Sequence, residues 1–160
     1  MIIKIKTAKK EDFEILLLFR LKLLEHDNKI DDRIEYTLDK IQKSSKYMKN
    51  YLKKQDNKYF LAYHNSIPIG YLHVTHDDKK NKDTSYISEL YVLDVYRGRG
   101  IGKKLVKHHY TYLKRLGIKK SVLTTAKNKN KKTINFYKKL GYKTIEENKK
   151  ENYVHLSKEI

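Results

Sequence analysis

Hydrophobic and polar residues alternate in some runs of this chain and recur every three to four residues in others. The periodic runs predict helices at 11–25, after Asp31 and Asp32, from Ile101 to Leu116, and from Asn130 to Leu140. The alternating or β-branched runs predict strands at 2–7, 59–64, 69–76, 84–95, 121–126, 142–146 and 153–157. The resulting order, β-α-α-β-β-β-α-β-α-β-β, is typical of a single α/β domain with a mixed sheet.

Apolar stripes and end signals predict which faces of the helices are buried. Asp31 and Asp32 are expected to cap the second helix, and Gly117 is expected to end the third. The stripe of the second helix is Ile34, Leu38, Ile41, Ser45, Met48 and Leu52, and that of the third is Ile101, Leu105, His109, Tyr112 and Leu116. Between the second and third strands, the sequence NSIP at 65–68 predicts a hairpin turn.

The composition excludes several kinds of site and makes a membrane-spanning protein unexpected. The 160 residues suffice for one domain, and the absence of cysteine excludes disulfides, thiolate metal sites and an acyl-cysteine intermediate. The longest aliphatic or aromatic run, Ile15 to Phe19, is far shorter than the roughly 20 residues that cross a bilayer. The first residues also lack the features of a signal peptide, so we expect a cytoplasmic protein without a membrane partner.

The formal net charge of +18 raises the alternative of a nucleic-acid-binding module. However, 32 of the 37 basic residues are lysines scattered along the chain, and specific phosphate or base recognition favours arginine. A solvated, lysine-rich surface that attracts anionic ligands is the simpler interpretation. Tight, saturable binding of nucleic acid with a steep salt dependence would support the alternative.

The most informative segment is a strand followed by three glycines at alternate positions and then a helix. Gly98, Gly100 and Gly102 let main-chain N–H groups point into one concavity, and the helix N-terminus adds a partial positive charge. This arrangement favours a phosphate or pyrophosphate ligand. The spacing matches neither the Walker A loop, because Lys104 stands where Ser or Thr is required, nor the dinucleotide pattern Gly-x-Gly-x-x-Gly.

The loop and its surroundings resemble the GNAT superfamily of acetyl-CoA-dependent N-acetyltransferases. Arg97, Gly100 and Gly102 match that family's pyrophosphate loop, Gln/Arg-x-x-Gly-x-Gly/Ala, and ELYVLDVY before the loop resembles its central strand. The segment TINFYKKLGY, preceded by Asn130, is similar to its second CoA-binding segment. The resemblance covers almost the whole chain. It implies a mixed, mostly antiparallel sheet of about seven strands, with about four helices and splayed central strands.

The resemblance also implies which residues hold acetyl-CoA. The arm of the cofactor is expected beside Leu90, Tyr91 and Val92, with the N–H of Val92 donating to the thioester oxygen and Asn130 capping the last helix or bonding the arm. The pyrophosphate is expected on the loop residues Arg97, Gly98, Arg99, Gly100, Ile101, Gly102 and Lys103. Lysines that could favour the 3′-phosphate are Lys103, Lys104, Lys127, Lys129, Lys131 and Lys132.

For catalysis, Tyr137 is expected to protonate the leaving thiolate, unless it is simply a core tyrosine. Glu89 is expected to take the amine proton directly or through water, or to attract a cationic substrate; an exposed or salt-bridged Glu89 is the alternative. Without cysteine, direct attack in a ternary complex is expected rather than a ping-pong route.

The acceptor stays open between a small cationic amine and a protein amino group. His26, Asp27 and Asp31 lie where the resembled family binds its acceptor, although capping is their ordinary role. His73 and His76 fall on opposite faces of a strand, so we predict no metal site. Members of the family are often dimers, so a homodimer is compatible with the resemblance. A CoA sensor without catalysis is the remaining alternative.

Overall fold

A computed structural model describes residues 1–30, 37–76 and 82–160 of the chain. The strands are β1 Lys4–Thr7, β2 Asn57–His64, β3 Ile67–His76, β4 Thr84–Val92, β5 Lys120–Ala126, β6 Lys143–Asn148 and β7 Tyr153–Glu159. The helices are α1 Phe13–Ile30, α2 Leu38–Tyr51, α3 Ile101–Leu116 and α4 Lys131–Lys139, with short 3-10 turns at Lys10–Asp12 and Asp94–Tyr96. Within the described ranges, no helix is long and apolar enough to cross a membrane.

The strands form one sheet in the order β1-β2-β3-β4-β5-β7-β6. Neighbouring strands are antiparallel except for β4 and β5, which are parallel and are connected through α3. The pairing between β4 and β5 runs from Thr84 opposite Lys120 to Ile87 opposite Leu123 and then stops. The predicted mixed sheet with splayed central strands is therefore confirmed.

Each face of the sheet has its own hydrophobic core, because residues that alternate along a strand point to opposite sides. On β4, Tyr91 joins the core beneath α1 and α2, while Leu90 and Val92 pack against the other core, which lies beneath α3 and α4. The α1–α2 core contains Leu16, Phe19, Met48, Tyr59, Leu61, Tyr71 and Tyr91. This alternation brings the end of β4 into contact with both cores.

The beginning of α2 corrects the sequence prediction. The helix is capped by Thr37, whose Oγ1 accepts a hydrogen bond from the Lys40 N–H at 3.3 Å. Asp31 and Asp32, the predicted caps, lie outside the described residues, as does Ile34. Threonine serves because its hydroxyl satisfies one of the N–H groups that the first helical turn leaves without an internal partner.

The buried stripes of α2 and α3 also differ from the prediction by one position. In α2, Ser44 rather than Ser45 is buried together with Met48, and Leu38 is 77% exposed. In α3, Ile101, Leu105 and His109 are buried as predicted, but Leu113 rather than Tyr112 is the next buried residue, and Leu116 is 48% exposed. Apolar spacing identifies a face of a helix, but the rotation of the helix against the sheet decides which residues at its edges are covered.

Candidate active site

A cleft of about 1270 Å³ opens where β4 and β5 separate, and the starts of α3 and α4 close its sides. Among its walls are Glu89 to Val92 of β4, Leu123 to Ala126 of β5, and loop residues between Arg97 and Lys103. Asn130, Phe136 and Tyr137 add a wall from α4 and its cap. The cleft is a consequence of the divergent strands, since a continuously paired sheet would leave no space there.

The end of β4 presents main-chain groups to this cleft. The Leu93 N–H donates to the Ile69 carbonyl of β3 at 2.9 Å. Because hydrogen bonds in an antiparallel pair alternate along the strand, the N–H groups of Leu90 and Val92 point away from β3. That is the side on which β5 has diverged. These amides are therefore directed into the cleft, as the expected roles of Leu90 and Val92 require.

Within the residues that the structure describes, the glycine turn leaves the amides at the front of α3 without main-chain partners. Gly98 and Gly100 adopt φ values of 74° and 78°, which L-amino acids with a side chain rarely occupy. In the described part of the chain, main-chain hydrogen bonding of α3 begins with the Lys104 N–H, which donates to the Gly100 carbonyl at 3.0 Å. The preceding amides and the positive end of α3 together form an anion-binding concavity.

The two arginines of the loop have different surroundings. Arg97 donates from Nε to the Val92 carbonyl at 2.9 Å and pairs with Asp94 at 2.9 Å, so its side chain braces the turn against β4. Arg99 lies over the ring of Tyr96, with 5.7 Å between its guanidinium carbon and the ring centroid. The guanidinium of Arg97 is thus used within the protein, and its remaining contribution to anion binding is its charge.

Lysines surround the mouth of the cleft. Lys103, Lys129, Lys131 and Lys132, four of the six predicted for the 3′-phosphate, line it. Lys127 instead pairs with Glu147 of β6. The positive potential that the sequence composition predicts is therefore present around the cleft, where it favours an anionic ligand.

Asn130 occupies the N-cap position of α4, but its side chain does not cap the helix. Its Nδ2 donates instead to Thr125 Oγ1 of β5 at 2.7 Å, and Asn130 is 8% exposed. The bond fixes the start of α4 to the strand that has separated from β4. Asn130 therefore joins two walls of the cleft, α4 and β5, a role that its capping propensity alone does not predict.

Tyr137 is buried on the inner face of α4 and lines the cleft. Its ring contacts those of Tyr142 and Phe136 edge-on, with centroids 5.3 Å and 5.0 Å apart. Burial, followed by the influence of Tyr142, raises its pKa well above the ordinary value for tyrosine. The phenol is therefore protonated at neutral pH, which is the state that a general acid requires.

Glu89 lies on the face of β4 that is covered by α1, and both of its carboxylate oxygens have partners. Oε1 contacts a terminal guanidinium nitrogen of Arg20, and Oε2 accepts a hydrogen bond from the Tyr71 hydroxyl at 2.6 Å. Burial raises the pKa of Glu89, against the opposing effects of Arg20 and Tyr71. The structure thus gives Glu89 both a place in the cleft wall and the salt bridge that the sequence left as the alternative.

The sequence analysis did not identify Arg20 or Tyr71 as site residues. Arg20 lies 69 residues from Glu89 along the chain, so no local pattern relates the two. One signal was available: Arg20 directly follows the apolar run Ile15 to Phe19 of the first helix, and a charged residue beside a buried face needs a partner.

The C-terminal part of α1 reaches the same cleft with Leu23, His26 and Asp27. Burial lowers the pKa of His26, and the nearby positive charge of Arg97 lowers it further. Two of the three residues that the sequence analysis assigned to the acceptor region are therefore beside the cleft. The third, Asp31, lies outside the described residues.

Two of the remaining histidines are buried and make hydrogen bonds inside the protein. His73 Nε2 is 3.0 Å from Asn57 Oδ1, and His109 Nε2 is 3.0 Å from Ser85 Oγ. In the ranges that the structure describes, no three His, Cys, Asp or Glu side chains are grouped so that they could hold a metal ion.

The sequence of the chain is similar to a protein-family model and to curated proteins. A model of the family described as "Acetyltransferase (GNAT) family" matches residues 24–142. Over 93 residues, the chain is 33% identical to N-alpha-acetyltransferase 50 of Danio rerio. The aligned residues are 58% of this chain and 54% of that protein. It is 32% identical over 86 residues to the probable N-acetyltransferase san of Drosophila melanogaster, covering 54% of this chain and 47% of the other. The chain thus spans about half the length of these curated relatives.

Solved structures agree in fold over the whole chain. The PaiA N-acetyltransferase from Thermoplasma acidophilum, determined in complex with coenzyme A, superposes with a TM-score of 0.81 and 21% identity, and each chain is covered completely. The ribosomal-protein-S18-alanine N-acetyltransferase from Escherichia coli gives a TM-score of 0.71 and 12% identity, covering 99% of this chain and 94% of that one. At these identities the likeness concerns the fold.

Proposed function

The chain belongs to the acetyltransferase (GNAT) family, and from this premise we propose that it transfers the acetyl group of acetyl-CoA to a primary amine. The observation that carries the proposal is the separation of β4 and β5 beyond Ile87 and Leu123, beside a helix N-terminus whose amides have no main-chain partner among the described residues. An extended acyl carrier needs both features, a slot for its arm and an anion-binding turn for its pyrophosphate.

We assign the binding of the donor to main-chain groups and to Asn130. The amides from Gly98 to Lys103 hold the pyrophosphate, and Leu90, Tyr91 and Val92 provide the strand edge for the arm. Because the Nδ2 of Asn130 already donates to Thr125, we assign its Oδ1 to accept a hydrogen bond from the arm. Binding through main-chain groups requires a fixed backbone, which the bond from Arg97 to Val92 supplies.

Acetyl-CoA and three residues complete the proposed reaction. Acetyl-CoA supplies the activated acetyl thioester. The Val92 N–H donates to the carbonyl oxygen on which negative charge develops. Glu89 removes the proton of the amine, directly or through water, and Tyr137 delivers a proton to the departing sulfur. The amine attacks directly in a ternary complex, since the chain has no cysteine to carry the acetyl group.

Two classes of acceptor fit the proposal. The N-acetyltransferases among the relatives suggest an amino group of a protein, and the carboxylates Glu89 and Asp27 in the cleft wall suggest a small cationic amine. In both cases the nucleophile is a primary amine that must lose a proton before it attacks.

The proposal is tested by titrating the purified protein with acetyl-CoA in a calorimeter and then supplying an acceptor panel while CoA release is recorded. The panel contains alkylamines, polyamines, amino acids and short peptides with free and blocked N-termini. We expect saturable binding, a higher melting temperature with acetyl-CoA, and release of CoA with one class. Absence of acetyl-CoA binding at millimolar concentration contradicts the proposal.

A further inference from the structure

The Glu89 carboxylate lies in the wall of the cleft and is paired there with a cationic side chain, that of Arg20. The carboxylate lies on a face of the sheet that is rich in aromatic rings, with Tyr71 hydrogen-bonded to it. The ring of Phe19 lies 6.0 Å from that of Tyr71 and 5.9 Å from that of Tyr91. These rings pack on one another, so it is the charge of the carboxylate that attracts an ammonium or guanidinium group.

Among the described titratable groups around Glu89, one positive charge, that of Arg20, compensates the negative charge of the carboxylate. His73 is directly opposite Glu89 in the pairing of β3 and β4, but burial and Arg20 lower its pKa to about 3, so it is neutral at physiological pH. From β2, α2 and β4, the groups that face this region are the phenols of Tyr59, Tyr51 and Tyr91. Among the described residues, Arg20 is the cation paired with Glu89.

The geometry of the contact between Arg20 and Glu89 allows another cation to replace the guanidinium group. One guanidinium nitrogen of Arg20 meets one carboxylate oxygen of Glu89, so the pair is not the two-pronged arrangement in which arginine binds carboxylates most firmly. The Arg20 side chain is 28% exposed, whereas that of Glu89 is 12% exposed. The long arginine side chain can therefore turn into water, while the carboxylate stays in the wall of the cleft.

We propose that Arg20 occupies, in the free protein, the subsite that the cationic amine of the acceptor takes during the reaction. This inference rests on the proposed function and narrows it: the acceptor binds as an alkylammonium ion, and it displaces the Arg20 guanidinium from Glu89. No covalent bond changes in this step, because one cation replaces another at the same carboxylate.

The exchange also connects binding with deprotonation. While Arg20 is in place, the oxygens of Glu89 are used by the guanidinium and by Tyr71. When the ammonium ion replaces the guanidinium, the same carboxylate faces the N–H that must be lost before attack. Arg20 thus selects for ligands that carry a positive charge, since a neutral ligand cannot compensate Glu89 for the lost partner.

The experiment compares wild-type protein with Arg20→Met and with the double variant Arg20→Met/Glu89→Gln, each saturated with CoA. Butylammonium chloride is the probe and 1-butanol is its uncharged control; binding is followed by heteronuclear NMR. Removal of the internal competitor should tighten butylammonium binding by roughly tenfold in Arg20→Met. The double variant should lose that gain, and butanol should bind none of the three proteins measurably.

A second measurement uses the wild-type protein alone, so the test does not depend on the folding of Arg20→Met. The side-chain N–H signals of Arg20 should move toward those of a solvent-exposed arginine as butylammonium saturates the cleft. Unchanged Arg20 signals, or equal affinity of wild type and Arg20→Met, overturn the inference. Acetyl-CoA affinity, measured by calorimetry on the same samples, separates the two hypotheses: intact acetyl-CoA binding with no amine effect refutes the Arg20 exchange alone.

Discussion

Arg97 donates a hydrogen bond from its Nε to the carbonyl oxygen of Val92, at 2.9 Å, on the side of β4 from which β5 has diverged. The Val92 carbonyl, which has no partner on β5, is thus hydrogen-bonded by a side chain from the turn that follows β4. The bond ties two proposed parts of the donor site together, the edge of β4 and the anion-binding turn.

Replacing Arg97 with methionine should therefore weaken acetyl-CoA binding. A hydrogen bond from a charged donor contributes about 1.5–3 kcal/mol, so we expect an affinity loss of roughly ten- to hundredfold. Arg99→Met is the matched control, because it removes the same charge from the loop while Arg99 contacts the ring of Tyr96. Calorimetric titration of both variants measures the difference, and equal losses would mean that charge alone matters.

Tyr137→Phe should lower the turnover rate while leaving the affinity for acetyl-CoA nearly unchanged. Burial raises the pKa of Tyr137, so the wild-type phenol carries its proton at neutral pH, and a general acid accelerates a reaction by roughly 100-fold or more. Tyr110→Phe is the control, since Tyr110 packs in the same aromatic cluster. The measurement is steady-state CoA release with the acceptor found in the panel. An unchanged turnover rate removes Tyr137 from the acid role.

Gly70→Ala should destabilise the fold, because β3 and β4 approach each other closely at Gly70. A Cβ atom there would lie 2.5 Å from the Tyr91 carbonyl oxygen, a main-chain atom that cannot move without shifting β4. Overpacking of this kind costs about 1–3 kcal/mol in the free energy of unfolding. Gly102→Ala is the comparison: its Cβ would meet a side-chain atom of Phe136 at 3.4 Å, which allows small adjustments. Urea unfolding of the two variants should show a clear loss of stability only for Gly70→Ala.

The free energy of unfolding should fall as the pH decreases from 6.5 toward 3, with His109 as one cause. Burial, reinforced by His76 and His108, lowers the pKa of His109 from 6.5 to about 3. Between these values the unfolded chain binds a proton that the folded protein does not, so acid favours unfolding by up to about 1.4 kcal/mol per pH unit for each such histidine.

Urea unfolding at pH 7, 6, 5 and 4 tests this expectation. His109→Gln should show a shallower pH dependence than the wild type, while His108→Gln should differ less, because His108 is less deeply placed and its pKa is lowered by burial alone. Identical slopes for wild type and His109→Gln would contradict the assignment. The comparison of slopes is independent of any overall loss of stability in the variants.

Apolar periodicity and β-branched runs predicted the β-strands and α-helices of the described ranges, and the glycine spacing predicted the turn at the front of α3. The strand predicted at 84–95 ends at Val92, and a 3-10 turn at Asp94–Tyr96 follows it. These features are local: hydrophobic spacing determines which residues can be buried in a helix or strand, and Gly98 and Gly100 adopt positive φ values that side chains disfavour. Boundaries were less well determined. Thr37 caps α2, and Ser44 and Leu113 are buried where Ser45 and Tyr112 were expected, since the rotation of a helix is set by what it packs against.

The tertiary structure alone decided which polar groups meet. Glu89 could be recognised in the sequence as a carboxylate on a central strand, but its pairing with Arg20 across 69 residues and its hydrogen bond from Tyr71 depend on how α1 lies over the sheet. The bond from Asn130 to Thr125 likewise needs β5 and α4 to be placed together. The local sequence determines the preferred backbone conformation of a residue and its tendency to be buried. Which charged and polar groups interact depends on their distances in space, and the order of residues does not specify those distances.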